Sequence, residues 1–170
     1  MNEEFIVIKH ENLTADNLDE IVRLKQQHWN YASESQKKWI QSYLKPDDIH
    51  LLMKMDDKVV AYLSINVISM IVDGQVMVGK GLGNVCVDKV FQGQGLGKKI
   101  VEKANEIIRA NDDTGILLCH TQLIPFYERC GWVNTLYGNL EIDKRVFTDV
   151  MMLFNSDLRH ITHMILDRNF

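Results

Sequence analysis

The sequence has little of several features that would set it apart from ordinary globular proteins. Only three cysteines and two prolines occur among 170 residues, and no internal repeat or low-complexity tract is found. Cys86, Cys119 and Cys130 match no zinc spacing, so we expect buried free thiols and no metal. An apolar share of 46% with 25% charged residues excludes disordered and collagen-like chains.

An excess of positive charge is also missing. The 19 Lys and Arg residues stand against 23 Asp and Glu, which gives a net charge of -4 and a pI of about 5.8. Proteins that bind nucleic acid neutralise phosphates with basic side chains, so we expect no nucleic-acid partner. An acidic protein attracts cations such as amines, although a net negative charge that only keeps the protein in solution is an equally ordinary explanation.

The sequence shows neither a long apolar run nor the pattern of a secretory leader. The first residues, Met-Asn-Glu-Glu, are acidic and lack a basic segment with a following apolar run, so we expect a cytoplasmic protein. The longest apolar stretch, 59–72, is broken by polar side chains and is shorter than the roughly 20 residues that a bilayer requires. It predicts a core strand, and we expect no membrane partner.

Segments typical of strands and helices alternate along the chain. At about 150 residues per domain, the length predicts a single domain over 1–170. Apolar patterning predicts strands at 5–9, 50–55, 59–72, 75–87, 115–120, 132–136 and 149–154. It predicts helices at 16–29, 33–45, 96–109 and 123–130, the second with a capping box at 33–36.

These segments predict an α/β fold with a mixed, mostly antiparallel central sheet of about six to seven strands flanked by helices. Strand 115–120 is expected to pair in parallel with 83–87 through a right-handed crossover. Segment 33–45 is interpreted as a packed helix, with a lid as the alternative.

A glycine-rich turn follows the strand that ends at Val87. Three glycines occur between Gln92 and Gly97, directly before the helix 96–109. A strand, a glycine turn and a helix N-terminus form an anion site, because the first helix amides lack intrahelical partners and the helix dipole is positive there. A Walker A loop needs Ser or Thr where Lys99 stands, and a dinucleotide loop needs Gly where Lys98 stands, so neither fits.

The run from Val85 to Gly97 resembles motif A of the GCN5-related N-acetyltransferases, in which Gln or Arg opens a loop around the coenzyme A pyrophosphate. A second run, from Phe126 to Trp132, resembles the later Tyr-x-x-x-Gly-Phe/Trp motif of this family. The resemblance covers about residues 81–133 and implies the acyl-CoA N-acyltransferase fold.

The resemblance implies acetyl-CoA as co-substrate. Backbone amides of the glycine loop would bind the pyrophosphate, and the pantetheine arm would lie like an extra strand beside 85–87. There the amide of Val85 or Val87 would polarise the thioester carbonyl. The implied cofactor-binding residues are Val85, Cys86, Val87, Gln92, Gly93, Gln94, Gly95, Leu96, Gly97, Lys98, His120 and Phe126. The alternative is that the glycines only make a turn.

Tyr127 is the implied catalytic residue. It matches the tyrosine of this family that lies near the thioester sulfur, where it protonates the departing thiolate or donates a hydrogen bond to it. The alternative is an aromatic side chain that fills the seam between helix and sheet, as we expect for Phe126. His120 stands where many members carry Asn, and it could instead be a histidine that only caps the strand end.

The reaction needs a base, because only a few amine molecules in roughly ten thousand are neutral at pH 7. Several branches of the family place a glutamate just before the motif A strand, but this chain has Gly81-Leu82-Gly83-Asn84 there. The resemblance therefore assigns no carboxylate as the base. The two glycines are interpreted as leaving room for the substrate. The open candidates for the base are His28, Glu34, Asp73 and His120, of which Asp73 also fits a hairpin turn.

Two further groups have simple interpretations. His160 and His163 have metal-ligand spacing but no third ligand, which favours surface histidines near the end of the chain. Trp29 and Tyr31 either stack on a substrate or pack.

We therefore expect direct, acetyl-CoA-dependent acetylation of a primary amine, with a small molecule as acceptor. No activating pair is visible beside Cys86 or Cys119, so no covalent acetyl-enzyme is expected. The alternatives are a protein or peptide acceptor, and a non-catalytic acyl-CoA sensor or partner module. The oligomeric state stays open, a homodimer included.

Overall fold

The computed structural model describes residues 2–170, which form four α-helices and ten strands. The helices are α1 (Ala15–Gln26), α2 (Ser33–Tyr43), α3 (Leu96–Ala110) and α4 (Ile124–Glu128). The strands are β1 (Glu3–Lys9), β2 (Ile49–Met55), β3 (Lys58–Val72), β4 (Gln75–Val87), β5 (Gly115–Cys119), β6 (Val133–Asn134), β7 (Leu136–Ile142), β8 (Arg145–Phe147), β9 (Val150–Phe154) and β10 (Ile161–Leu166). No helix in this part of the chain is long and apolar enough to cross a membrane.

The strands form one mixed sheet in the order β6-β9-β5-β4-β3-β10-β7-β8, with β2 and then β1 added beside β3. Pairs β4–β5 and β7–β10 are parallel, whereas β1–β2, β2–β3, β3–β10, β5–β9, β6–β9 and β7–β8 are antiparallel. The predicted fold class, a mostly antiparallel sheet flanked by helices, is confirmed. The parallel pairing of β4 with β5 lies at Lys80–Leu82 rather than at 83–87.

The sheet has more strands than the six to seven predicted. The unpredicted ones are β7, β8 and β10, and β10 corresponds to the segment interpreted as a surface tail with two histidines. β10 lies between β3 and β7, where Met164 and Leu166 are buried. Its strand character depends on these partners distant in sequence, which a local pattern does not reveal.

Contacts group the chain into two compact units. The first comprises the residues up to Asn66 together with Asn84–Val101, and the second comprises Val67–Gly83 and Glu102–Phe170. Strands β3 and β4 and helix α3 each contribute residues to both units. A single domain over 1–170 stays a prediction.

The core of the first unit lies between α1, α2 and strands β2 and β3. The predicted apolar stripe of α1 is buried at Leu18, Ile21, Val22 and Leu24, and α2 packs through the fully buried Ile40. The capping box predicted at 33–36 is wrong, because Ala32 is the N-cap and makes no side-chain cap bond. The Gln36 amide instead donates to the carbonyls of Trp29 and Tyr31, which ties α2 to the preceding loop.

The core of the second unit combines β3, β5, β7, β9 and β10. Gly81 belongs to this unit, and a Cβ placed there would lie 2.8 Å from the Phe170 ring and from Ile68. The space beside Gly81 is therefore filled by protein, which corrects its interpretation as room for substrate. All three cysteines are free and buried, as predicted.

Candidate active site

The end of β4 is held by residues at the C-terminal end of α1. The Lys25 ammonium donates to Asn84 Oδ1 at 2.6 Å, and His28 Nε2 lies 2.8 Å from the Val87 carbonyl oxygen. Asn84 has φ of 56°, a left-handed conformation that is uncommon outside glycine. The Asn84 side chain also donates to the buried Ser64 hydroxyl on β3. Its hydrogen bonds with Lys25 and Ser64 therefore stabilise the left-handed backbone at this point of the strand.

Backbone groups at the end of β4 point alternately to two sides. The Asp88 amide donates to the Val60 carbonyl of β3 at 2.8 Å. Because successive residues of a strand direct their backbone groups to opposite edges, Cys86 also faces β3, whereas Val85 and Val87 face the other edge. Pairing with β5 covers Lys80–Leu82 and ends before Val85 is reached. The edge at Val85 and Val87 therefore carries amides and carbonyls suited to pairing with an extended ligand.

Asp88 fixes the start of the loop that follows. Its buried carboxylate lies 3.1 Å from Arg23 and 3.0 Å from Lys58, and it accepts from the Val90 amide at 3.2 Å. Burial acts to raise the pKa of Asp88, but the Lys58 ammonium, the Val90 amide and Arg23 outweigh it and hold the pKa at about 2. The carboxylate is therefore ionised at neutral pH.

The glycine loop lies between this anchor and α3. Gly93 and Gly95 have φ of 79° and 81°, and a Cβ at either position would meet nothing within 4 Å. The first bond of α3 runs from the Lys99 amide to the Gly95 carbonyl at 3.1 Å, so the amides of Leu96 and Gly97 precede the helical ladder. The predicted anion site is thus an open, solvent-exposed turn with backbone donors at the helix N-terminus.

Lys25 is the most unusual charged residue of this region. It is only 6% exposed, and its ammonium lies 4.7 Å from the Trp39 ring and 5.5 Å from the Trp29 ring. Burial lowers the pKa of Lys25 to about 8. The sequence contained a signal for this residue, because position 25 continues the apolar stripe of Leu18, Ile21 and Val22, where a lysine is unexpected.

The thiols of Cys86 and Cys119 are poor nucleophiles. Burial raises the pKa of Cys86 to about 12, with Lys25 acting in the opposite direction. Burial also raises the pKa of Cys119, and its Sγ contacts the Met152 sulfur at 3.9 Å. The thiolate is the reactive form of cysteine, so neither side chain is activated.

In the second unit, Tyr127 lies on α4 and is 7% exposed. Its ring packs edge-on against Phe126 with centroids 4.9 Å apart. Burial raises the pKa of Tyr127, to which charge on Cys119 and Cys130 would add, so the phenol is protonated at neutral pH. The hydroxyl makes no hydrogen bond within residues 2–170 and is not fully buried, so it remains available as a donor.

The chain after Tyr127 is held by a helix-ending motif and a buried amide. The Trp132 amide donates to the Tyr127 carbonyl and the Gly131 amide donates to the Glu128 carbonyl, the two bonds of a Schellman motif. Gly131, which directly follows the predicted helix 123–130, has φ of 87°. On α3, the buried Asn105 accepts from the Trp132 indole at 3.0 Å, a contact that the sequence motifs did not indicate.

The candidate bases have different surroundings. Asp73 is a turn residue whose carboxylate accepts from the Thr162 hydroxyl and the His163 amide, and these hydrogen bonds lower its pKa. Glu34 is exposed in the first turn of α2. His120 is exposed at the end of β5, with Nδ1 3.6 Å from the Asp149 carboxylate. His28 is exposed beside β4.

The remaining side chains that the sequence singled out are also placed. Trp29 packs against the core of the first unit, whereas Tyr31 is exposed. His160 is exposed and stacks on Tyr137, and His163 is half-buried on β10. Within residues 2–170, no three side chains of the types that ligate metals are grouped for a metal ion.

Solved structures with this fold come from several bacteria. A Pseudomonas aeruginosa acyl-CoA N-acyltransferase is 23% identical, with 89% of this chain and 99% of that chain covered and a TM-score of 0.64. Escherichia coli YhbS, a GNAT family N-acetyltransferase in complex with CoA, is 14% identical over 99% and 92%, with a TM-score of 0.69. The E. coli ribosomal-protein-S18-alanine N-acetyltransferase is 17% identical over 89% and 93%, with a TM-score of 0.61. At these identities the similarity shows the fold.

The family of this chain is shown by a match between its sequence and a family model. Residues 9–134 match the family described as "Acetyltransferase (GNAT) domain". No curated protein sequence matches the chain. The matched segment contains β4, the glycine loop, α3 and Tyr127, which are the elements described above. Because the match spans most of the 170 residues, the chain belongs to the GNAT acetyltransferase family.

Proposed function

We propose that this protein transfers the acetyl group of acetyl-CoA directly to a primary amine of a small molecule. The observation that carries the proposal is the glycine loop. Gly93 and Gly95 combine positive φ with open space at the N-terminus of α3, which is the arrangement that backbone binding of a pyrophosphate requires.

The residues present fit coenzyme A. Loop amides from Gly93 to Lys98 would hold the pyrophosphate, with Gln92 at the entrance of the loop. The pantetheine arm would pair with the open edge of β4 at Val85 and Val87. The side chain of Cys86 would stay in the core, and His120 and Phe126 remain proposed contacts. Acetyl-CoA supplies the activated acetyl group as a thioester.

The chain would assist the transfer at two points. The amide of Val85 or Val87 would donate to the thioester oxygen as negative charge develops there. Tyr127 would donate a hydrogen bond to the departing sulfur. Its raised pKa makes full proton transfer to a thiolate uphill, so stabilisation by a hydrogen bond is the role that the burial of Tyr127 supports.

Direct transfer is supported by the state of the cysteines. Burial raises the pKa of both Cys86 and Cys119, so an acetyl-cysteine intermediate has no activated thiolate to form it. Intact mass measured after mixing with acetyl-CoA alone is expected to stay unchanged. A stoichiometric gain of one acetyl group would contradict direct transfer.

The experiment for the function is thiol release from acetyl-CoA across a panel of amines. The panel contains polyamines, amino-acid amines, aminoglycosides and peptides with a free N-terminus or lysine. Turnover with one of the small amines is expected. Turnover confined to peptides would mean that the acceptor is a protein or peptide rather than a small molecule. Tight acetyl-CoA binding with background thiol release for every amine would favour a non-catalytic acyl-CoA sensor.

A further inference from the structure

We propose that His28 is the general base that removes a proton from the acceptor amine. The inference rests on the proposed function, because it places the amine beside the thioester at β4. The observation behind it is the hydrogen bond of His28 to Val87, which brings the imidazole to the same edge of β4 as the amides proposed to polarise the thioester. No glutamate stands at positions 81–84 of this strand to do the same task.

The hydrogen bond settles which ring nitrogen can accept a proton. A backbone carbonyl only accepts, so Nε2, which lies 2.8 Å from the Val87 oxygen, carries the hydrogen. In the neutral ring the lone pair is then on Nδ1. The Val87 oxygen also accepts from the Gln92 side-chain amide at 3.5 Å, so a pantetheine amide would take the place of this longer bond beside His28.

His28 is fixed in position yet open to solvent. Its amide donates to the Lys25 carbonyl, and the neighbouring Gln27 side chain accepts from the Lys89 amide at 2.8 Å, which fastens the end of α1 to the segment after β4. The ring itself is exposed and lies 5.8 Å from the Trp29 ring. An acceptor can therefore reach Nδ1 without displacing a core residue.

None of the charged side chains around His28 takes the place of its imidazole as the base. On α1, Lys25 directs its ammonium to Asn84. After β4, Asp88 is paired with Arg23 and Lys58, and exposed Lys89 follows it. On α2, Gln36 donates to the loop that follows His28. No carboxylate bonds to His28 among residues 2–170, so the ring would act as a simple acceptor rather than as part of a charged pair.

The other candidates are less suited to this task. Asp73 is occupied by Thr162 and His163. Glu34 is exposed and lies 3.9 Å from Lys37. His120 is exposed at the end of β5, where its Nδ1 faces the Asp149 carboxylate at 3.6 Å. His28 is the candidate that bonds directly to the strand segment proposed to hold the thioester.

The protons balance with acetyl-CoA, the amine and water, and no further reactant is needed. The ammonium loses one proton to His28 Nδ1, from which it passes to bulk water. The free amine attacks the thioester carbonyl, the C–N bond forms and the C–S bond breaks. The nitrogen loses its second proton to water in this step, and the thiolate, hydrogen-bonded to Tyr127, takes one proton from water. The products are the amide, the thiol of coenzyme A and one net proton.

Three variants distinguish a catalytic role of His28 as the general base from a purely structural role. His28→Gln places an amide N–H near the position of Nε2 and keeps a donor for Val87, but it has no lone pair that accepts a proton. His28→Ala removes both functions. His160→Gln is the matched control, because His160 is an exposed histidine that bonds to no proposed site residue.

We expect His28→Gln and His28→Ala to lower kcat/KM for an alkylamine by about 100-fold or more, since general bases contribute at least that much. In wild type and in His160→Gln we expect kcat/KM to fall toward acidic pH, and in the two His28 variants the part of this fall that is due to His28 should be lost. Affinity for acetyl-CoA should stay within about twofold, because a donor to Val87 remains in His28→Gln. With an aryl hydrazine or an acyl hydrazide as acceptor, which is weakly basic and already neutral at pH 7, most of the loss should disappear.

Three results would overturn the assignment. Wild-type rates and an unchanged pH profile in His28→Gln would mean that His28 acts only through its bond to Val87. Loss of acetyl-CoA affinity parallel to the loss of rate would make it a cofactor contact. Wild-type protein that binds acetyl-CoA but acetylates no amine would overturn the proposed enzymatic function, and the base with it.

Discussion

At the scale of single residues, Tyr127 has a buried ring and a hydroxyl that solvent can reach. Its ring is buried and packed against Phe126, yet its hydroxyl has no partner within residues 2–170. The hydroxyl oxygen keeps some solvent exposure, so water can accept from it when no ligand is bound. The position therefore favours a donor that a bound cofactor can take over from water.

Tyr127→Phe tests this role with little change in packing. A hydrogen bond to a charged group contributes about 1.5–3 kcal/mol, so we expect kcat to fall by about 10- to 100-fold. Affinity for acetyl-CoA should change little, because the interaction strengthens only as the thiolate forms. Steady-state kinetics and acetyl-CoA titration check this, and an unchanged kcat would assign Tyr127 to packing alone.

At the scale of elements, the junction between β4 and the glycine loop depends on Asp88. Its carboxylate joins α1 through Arg23 and β3 through Lys58. The folded pKa of about 2 lies below the ordinary value of 3.8. A carboxyl group with a lowered folded pKa adds stability above its unfolded pKa, and this stability is lost as the pH falls toward the folded pKa.

Asp88→Asn should therefore be less stable than wild type at neutral pH. We expect a difference of at most about 2 kcal/mol, because Arg23 and Lys58 are partly exposed and water screens them. The difference should shrink as the pH is lowered from about 4 to about 2, where wild type loses the same interaction. Urea unfolding across this range measures it, and a constant difference would contradict the role of Asp88.

Elements encoded by consecutive residues were predictable from the sequence. The run from Val85 to Gly97 contains its own strand end, glycine turn and helix start, so these elements could be located before the structure. Contacts between distant elements were not predictable. Nothing local indicates that His28 would reach Val87, or that Phe170 would fill the space beside Gly81.

At the scale of the whole molecule, acid stability depends on a buried histidine. His50 is fully buried on β2, with Nδ1 2.9 Å from the Tyr62 hydroxyl and Nε2 3.0 Å from His10 Nδ1. Burial lowers the pKa of His50 from 6.5 to about 4, and the proximity of His10 adds to this. The unfolded chain therefore binds a proton at a higher pH than the folded protein does.

Stability should consequently fall as the pH is lowered from about 6.5 to about 4. The expected contribution is at most about 3 kcal/mol, from the difference between the two pKa values. His50→Gln cannot titrate, so its free energy of unfolding should vary less over this range. Parallel pH curves for the variant and wild type would show that another group controls acid stability.

Binding of an acyl-CoA at the glycine loop is the central claim, and thermal unfolding with and without acetyl-CoA tests it most directly. The comparison uses wild type, Gly95→Val and Gly74→Val. Gly74, in the β3–β4 turn, has φ of 86° and open space, as Gly95 has at 81°, so both variants carry similar backbone strain. Only Gly95→Val adds a side chain to the proposed pyrophosphate site.

At about 100 times the dissociation constant, acetyl-CoA should stabilise the protein by about 2.7 kcal/mol, which raises Tm by about 5 to 10 °C for a chain of this size. We predict this shift in wild type and in Gly74→Val, and its loss in Gly95→Val. No shift in wild type, or an equal shift in Gly95→Val, would contradict the assignment of the loop to the cofactor.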